Sequence, residues 1–305
     1  MDPSNPGVSS LAAAPVGPAG RSKETTDPLL VHHRSISLPT GMTLHVAERA
    51  GEGTPVLFLH CVWGSWRNWL PLLRPEPDPA PFAGRRLILL DLRGHGASSK
   101  PAAGYRVHDY TADVLALIRQ EGLERLTIVG HSLGALIALL VAGEHPERIV
   151  ALLLEEPPLP FPLTAADVDD YWLNLGAMTK AYLALKRQPR EVRVEMLLTW
   201  ESGLWRAEAE RFADALAETA DGVYQAVLNG VSRGTVIPPD GLHLDVPTLV
   251  FQAGDPGSRA LRVRGIAQLR AALPRAEFVA IPRTGHDVLR DNPDAYREAV
   301  RRFFS

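Results

Sequence analysis

Short apolar runs alternate with longer amphipathic stretches along most of the chain. Runs rich in leucine and β-branched residues occupy 55–60, 86–92, 126–131, 149–154, 248–252 and 277–281, and their length and composition are typical of buried strands. Helical periodicity occupies 108–120, the stretch after Ser132, 259–272 and 293–304. Because strands that alternate with helices form βαβ units, the pattern predicts an α/β fold with a mostly parallel sheet flanked by helices.

Two more short strands are predicted at 31–38 and 42–49, on either side of a Pro-Thr-Gly turn. They bring the predicted sheet to eight strands. The alternation then stops after Pro158, and residues from about 160 to 240 show helical patterns without a clear strand. We therefore predict a core of residues 31–158 and 241–305, with a helical cap at 159–240 inserted after the sixth strand.

The first thirty residues differ from the rest of the chain, because they are rich in Pro, Ser, Ala and Gly. This composition predicts a disordered tail over 1–30. A targeting or export segment is the alternative, but the apolar run at 11–16 is short and Asp2 stands where a basic region would be needed.

Composition and charge narrow the function classes. The chain is 46% hydrophobic and 22% charged with a formal net charge of −3, which gives no electrostatic reason to expect nucleic acid or an anionic membrane as a partner. No apolar run reaches the length of a membrane span. The single cysteine, Cys61, excludes an internal disulfide and fits a reducing compartment. We expect a cytoplasmic protein with a small-molecule substrate; the sequence does not indicate its oligomeric state.

One stretch of the chain carries candidate chemistry. Residues Gly130 to Gly134 read Gly-His-Ser-Leu-Gly, with a predicted strand before them and a predicted helix after them. In that context Gly-x-Ser-x-Gly is a nucleophile elbow, a tight turn that exposes the hydroxyl of Ser132 above the sheet. The sequence shows no phosphate loop, dinucleotide fingerprint or metal-ligand spacing, so we expect no metal and no cofactor.

Three other segments accompany the elbow in a fixed order. A predicted strand runs into His60, another ends in Asp-Leu-Arg-Gly-His-Gly-Ala-Ser from Asp91, and the last is followed by Thr-Gly-His, ending at His286. With the elbow, these segments resemble the α/β-hydrolase family over nearly everything from about residue 40. The resemblance implies the α/β-hydrolase fold, and structural roles for His95 and His131.

The resemblance also implies a catalytic set around Ser132. A serine hydroxyl needs a general base, which the family places at the position of His286. The acid that orients this base has two candidates. Most members place it after the seventh strand, where this chain has Asp255 one residue short of the usual spacing; some place it after the sixth strand, where Glu156 stands. Glu155 is a third choice, but alternation along the strand would turn it away from Glu156.

The remaining site predictions concern the pocket. The resemblance to the α/β-hydrolase family implies an oxyanion hole formed by the backbone N–H groups of Val62 and Leu133. Cys61 stands where the family usually has glycine, so the backbone angles at this position must suit an L-residue. No activating partner is placed beside Cys61, so we do not expect it to be a nucleophile. The tryptophans Trp63, Trp66 and Trp172 are candidates for the pocket wall, although packing roles are equally open for Trp63 and Trp66.

These features together predict a serine hydrolase that acts by acyl transfer on an ester or lactone bond of a small to medium hydrophobic substrate. Serine rather than aspartate at the elbow argues against epoxide hydrolases and dehalogenases, in which a carboxylate attacks carbon. Carbon–carbon bond hydrolase, amidase and cofactor-free perhydrolase activities share the same machinery and stay open. A non-catalytic ligand receptor on the same fold is the alternative from another class, suggested by the His-Cys pair at 60–61 and the shortened Asp255 loop.

Overall fold

The computed structural model describes residues 31–74, 81–159, 170–201, 203–230 and 242–305. Its centre is an eight-stranded sheet in the order β1-β2-β4-β3-β5-β6-β7-β8, which confirms the fold class expected from the sequence. The strands are β1 (His32–Ser37), β2 (Thr43–Arg49), β3 (Val56–Leu59), β4 (Leu87–Leu90), β5 (Leu126–His131), β6 (Ile149–Glu155), β7 (Thr248–Ala253) and β8 (Ala276–Ile281). Only the pairings of β2 with β1 and with β4 are antiparallel.

From β3 onward, helices connect successive strands, and two more helices follow β8. The helices are α1 (Leu70–Leu73), α2 (Val107–Gln120), α3 (Leu133–Glu144), α4 (Asp170–Leu185), α5 (Arg190–Trp200), α6 (Arg206–Glu218), α7 (Asp221–Leu228), α8 (Val263–Ala272), α9 (Val288–Asp291) and α10 (Pro293–Phe303). None of the described helices combines the length and apolarity that a membrane crossing requires.

The sheet separates two apolar cores, because successive side chains of a strand point to opposite faces. On β3, Leu57 and Leu59 belong to a large core with α2 and α3, whereas Val56 and Phe58 belong to a second core with α1 and α10. All four β3 side chains are buried. Burial on both faces explains why the central strands read as continuous apolar runs rather than as alternating patterns.

Four helices, α4 to α7, follow β6 and precede β7, at the place where the sequence predicts a helical insertion. We call them the inserted helices. The predicted disordered tail at 1–30 lies outside the described residues, as do 160–169 and 231–241 at the two ends of the predicted insertion.

One helix begins later than the sequence pattern indicates. Periodicity favours a helix over 259–272, but α8 starts at Val263. The backbone N–H groups of Ala260 and Leu261 instead donate to the Glu156 carboxylate. A side chain more than a hundred residues away therefore takes the donors of this segment, and periodicity alone cannot reveal such a contact.

The loops that follow the parallel strands bring the candidate residues to one edge of the sheet. Cys61, Ser132, Glu156, Asp255 and His286 follow β3, β5, β6, β7 and β8, respectively. Ligand sites of open α/β sheets lie at the carboxyl ends of their strands, so this edge is where a site is expected.

The packing of α3 on β3 gives a test of the fold at the elbow. A Cβ atom at Gly134 would lie 1.9 Å from the backbone oxygen of Leu59, whereas nothing lies within 4 Å of a Cβ at Gly176 in α4. We expect Gly134→Ala to lower the free energy of unfolding by about 3 kcal/mol or more, because backbone must move. Gly176→Ala should be neutral or stabilise by up to about 1 kcal/mol. Urea unfolding of both variants checks this, and equal stabilities would contradict the close approach.

Candidate active site

Ser132 occupies a strained turn between β5 and α3. Its φ of 52° and ψ of −112° lie in a region that few non-glycine residues adopt. The turn is held by hydrogen bonds on both sides: the Ser132 N–H donates to the Glu155 carbonyl at 2.8 Å, and the Ser132 carbonyl accepts from Ala135 and Leu136. Contacts with the end of β6 and the first turn of α3 therefore stabilise the angles that the elbow requires.

The elbow opens into a large cavity of about 900 Å³ between the sheet edge and the inserted helices. Ser132 and His286 both contribute to its lining, as do the predicted oxyanion residues Val62 and Leu133. The inserted helices provide much of the remaining wall, mostly with aromatic and apolar side chains. These include Trp172, Leu175, Met178, Tyr182, Trp200, Phe212, Val223 and Val227.

Glu156 is the carboxylate that the structure places beside the candidate base. Its Oε2 lies 3.7 Å from Nδ1 of His286, and its side chain is fully buried. The carboxylate accepts backbone hydrogen bonds from Ala253 at 2.7 Å, Ala260 at 2.6 Å and Leu261 at 3.2 Å. These three donors fix the Glu156 side chain in position, and its φ of 45° turns the chain at the end of β6.

Asp255 and Glu155, the other two candidate acids, lie in environments that differ from that of Glu156. Asp255 is exposed at the cavity rim, where its carboxylate accepts from the Gly257 N–H and the Ser258 hydroxyl and so begins a short 3-10 helix. Those hydrogen bonds lower the pKa of Asp255. Glu155 is buried and accepts from the Leu289 N–H at 2.9 Å, and burial raises its pKa. Of the three acids, Glu156 lies beside His286.

His286 lies on a loop that several hydrogen bonds tie down. The Thr284 hydroxyl donates to the Ile281 carbonyl, and the Gly285 N–H donates to Asp291 Oδ2 at 2.7 Å. The His286 carbonyl pairs with Nε2 of His131, the residue before the elbow serine, at 3.1 Å. The loop that carries the candidate base is thus connected directly to the elbow.

The segment at Cys61 accommodates an L-residue in place of glycine. The left-handed conformation in this loop belongs to Trp63, with a φ of 64°, and not to Cys61. Nε2 of His60 accepts from the Leu92 N–H at 3.0 Å, which leaves the proton on Nδ1 to donate to the Cys61 carbonyl at 2.7 Å. Burial lowers the pKa of His60, so a neutral ring holds the loop that leads into Val62.

The three tryptophans predicted for the pocket divide between two places. Trp63 and Trp172 line the cavity, and Trp63 contacts Tyr182 of α4 and Tyr224 of α7 at ring-centroid distances of 5.1 and 6.2 Å. Trp66 instead belongs to the core on the opposite face of the sheet. It is the first residue of a 3-10 helix, and its backbone N–H is held by Asp91. Its placement in the substrate pocket was therefore wrong.

Arg290 connects the histidine loop to the inserted helices. Its guanidinium lies 3.3 Å from Asp287, 3.1 Å from Asp291 and 3.5 Å from Glu201 at the end of α5. Glu201 also accepts a hydrogen bond from the Tyr182 hydroxyl at 2.8 Å. Sequence periodicity gives no sign of this network, because its members come from separate elements.

A second group that the sequence does not reveal consists of Cys61, His131 and Asp287. Donor atoms of the three side chains lie within 4.8 Å of one another. His131 and Asp287 therefore stand beside Cys61, which the sequence alone did not indicate. Burial nevertheless raises the pKa of the thiol, and burial lowers the pKa of His131 to about 3, so neither the thiolate nor an imidazolium partner is favoured. Cys61 at rest is a poor nucleophile for that reason.

Three comparisons relate the chain to known hydrolases. It is 26% identical over 273 residues to the 2-(acetamidomethylene)succinate hydrolase of Mesorhizobium japonicum, which covers 86% of this chain and 91% of the relative. The structure of an N-formylmaleamic acid deformylase from Pseudomonas putida superposes with a TM-score of 0.72 at 19% identity, covering 88% of this chain and 100% of that one. An N-acyl homoserine lactone degrading enzyme superposes with a TM-score of 0.67 at 24% identity, with coverages of 88% and 100%.

At such identities the two superpositions show a shared fold. A sequence model of the alpha/beta hydrolase fold matches residues 54–293. That range begins just before β3, ends at the start of α10 and includes Ser132, Glu156, Asp255 and His286. The chain belongs to the α/β-hydrolase fold family.

Proposed function

We propose that the protein is a serine hydrolase that cleaves an ester or lactone by acyl transfer. The observation that carries the proposal is that Ser132 and His286 line one cavity, while Oε2 of the buried Glu156 lies beside Nδ1 of His286. Their order in the chain, Ser, acid and His, is that of the α/β-hydrolase triad. Membership of the family supports the same chemistry.

In this proposal Ser132 Oγ attacks the substrate carbonyl while His286 takes its proton. Glu156 holds the imidazole in the tautomer that leaves Nε2 able to accept, and it stabilises the imidazolium as it forms. The distance of 3.7 Å is longer than a normal hydrogen bond. Catalytic contacts are often long without substrate and shorten in the reacting complex.

The backbone N–H groups of Val62 and Leu133 stabilise the tetrahedral oxyanion. His286 then donates its proton to the leaving group. Water attacks the acyl-enzyme as His286 takes one of its protons, and His286 returns that proton to Ser132 Oγ as the acid product leaves. Aromatic walls and the inserted helices that cover the elbow favour a substrate with an apolar body. The lactone-degrading structural relative supports the ester or lactone assignment.

Amide hydrolysis is the second candidate. It is favoured by the names of two relatives, a hydrolase of an acetamido compound and a deformylase of a maleamic acid. Both reactions use a serine nucleophile in this proposal and differ in the leaving group that His286 must protonate. Parallel assays of p-nitrophenyl esters and the matching p-nitroanilides separate the two.

The nucleophile is tested by Ser132→Ala. We expect kcat/KM on p-nitrophenyl butyrate to fall by about 10³-fold or more, because the variant lacks the hydroxyl that forms the acyl-enzyme in this proposal. Ser35→Ala, at an exposed position of β1, is the matched control and should keep full activity. Retention of more than a tenth of the activity by Ser132→Ala would refute the assignment.

The acid is tested by the pair Glu156→Gln and Asp255→Asn. We expect Glu156→Gln to lower kcat by about 10² to 10⁴-fold, since a neutral amide cannot stabilise the imidazolium. Asp255→Asn should stay within about threefold, because its carboxylate only begins a surface turn. Circular dichroism of both variants controls for folding. A larger loss in Asp255→Asn would transfer the role to that residue.

The connection through Arg290 generates a third test. Glu201→Gln removes the negative charge that pairs with Arg290 and so joins the inserted helices to the His286 loop. We expect kcat/KM to fall about tenfold. The Tm should change little, since a partly exposed ion pair is worth about 1 kcal/mol or less. Asp214→Asn, which breaks the exposed Arg190–Asp214 pair between α5 and α6, is the matched control. If the two variants behave alike, the connection has no role in catalysis.

A further inference from the structure

The side chains of Cys61, His131 and Asp287 form a group that takes no part in the proposed acyl transfer. Cys61 lies in the loop after β3, His131 ends β5, and Asp287 directly follows His286. A thiol, an imidazole and a carboxylate are the donors that Zn²⁺ and similar divalent cations take from proteins. Three segments far apart in sequence therefore bring a mixed S, N and O donor set to one place.

Each of the three donors has an outer contact of the kind that orients metal ligands. Nε2–H of His131 donates to the His286 carbonyl, so the lone pair of a neutral ring is on Nδ1. Asp287 Oδ2 lies 3.3 Å from Arg290, which leaves its other oxygen available to a cation. The Asn68 amide lies 3.8 Å from Cys61 Sγ. These contacts reduce the freedom that the side chains would lose on binding an ion.

The local charge also suits a cation. The guanidinium of Arg290 lies within 3.5 Å of Asp287, Asp291 and Glu201, so these four groups together carry a net charge of −2. Cys61 and Asp287 both line the cavity. A bound ion would thus have three protein ligands and one position facing the cavity, the coordination of zinc sites that keep a water ligand.

We propose that Cys61, His131 and Asp287 form a binding site for a thiophilic divalent cation, Zn²⁺ or Co²⁺, beside the elbow. Bonds of 2.0–2.3 Å at tetrahedral angles would bring the donor atoms to about 3.5 Å from one another. Side-chain movements of about one ångström from the present separation achieve this. The Cys61 thiol gives its proton to the buffer as its sulfur bonds the ion.

An ion at this site would lie next to Ser132 and the His286 loop. It would restrict the movement of the loop that carries Val62 and of the His286 side chain. Zn²⁺ should therefore inhibit the proposed hydrolysis, whereas Mg²⁺, which prefers six oxygen ligands, should not. Inhibition depends on the proposed function being correct. Binding of the cation does not, so it is the primary readout.

The experiment is a titration of the metal-free protein with Co²⁺ in the absence of oxygen. We expect one equivalent to bind with the near-ultraviolet charge-transfer absorption of a thiolate–Co²⁺ bond, and Zn²⁺ to remove this absorption by displacement. Cys61→Ser should abolish the band, and Asp287→Asn should weaken Co²⁺ binding about tenfold or more. Ser132→Ala should bind like the natural protein, which separates this result from the identity of the nucleophile.

His145→Asn is the matched control for adventitious binding, because His145 pairs with Glu147 on the surface away from the cavity. It should leave the thiolate band and its stoichiometry unchanged. Absence of a thiolate band with excess Co²⁺ would overturn the proposal, as would an unchanged affinity in Asp287→Asn. The second variant retains the thiol, so the proposal stays testable even if Cys61→Ser fails to fold.

Discussion

The strained backbone at Ser132 is the constraint on which the rest of the site depends. A φ of 52° with a ψ of −112° is costly for any residue with a Cβ, and it persists only where the surroundings hold it. Gly130 and Gly134 make this possible, because a Cβ on either would overlap backbone atoms at 2.5 and 1.9 Å. The strand and helix can therefore approach closely enough for β3, β5 and α3 to fix the turn and present the hydroxyl to the cavity.

Glu156 is a second residue with a strained backbone, and its conformation positions the candidate acid. Glu156, with a φ of 45°, leaves β6 by a turn and sends its buried carboxylate under the loop that follows β7. There it accepts three backbone N–H groups and lies beside His286. The same carboxylate thus organises the β7–α8 connection and stands next to the candidate base. This double role agrees with the shortness of the Asp255 loop, in which the Asp255 carboxylate accepts from Gly257 and Ser258 of its own turn.

Sequence reasoning reached the sheet, the elbow and the position of His286, because each has a local signature: an apolar run, glycines two residues either side of a serine, a Gly-His after the last strand. It left the acid open, since Glu156 and Asp255 both follow parallel strands and only the three-dimensional path decides which approaches the histidine. The misplacement of Trp66 has a related cause. Only two residues separate it from Trp63, yet the two tryptophans belong to cores on opposite faces of the sheet. The Arg290 network and the Cys61 group were invisible because their members meet only after folding.

The central claim is that Ser132 is an activated nucleophile at the base of the cavity. Intact-mass measurement after reaction with a fluorophosphonate probe tests it most directly, since such a probe forms a stable adduct only with a serine that a neighbouring base activates. We expect one adduct per chain, located on Ser132 by peptide mapping, absent from Ser132→Ala and formed far more slowly by Glu156→Gln. An adduct on another residue, or none on the folded protein, would contradict it.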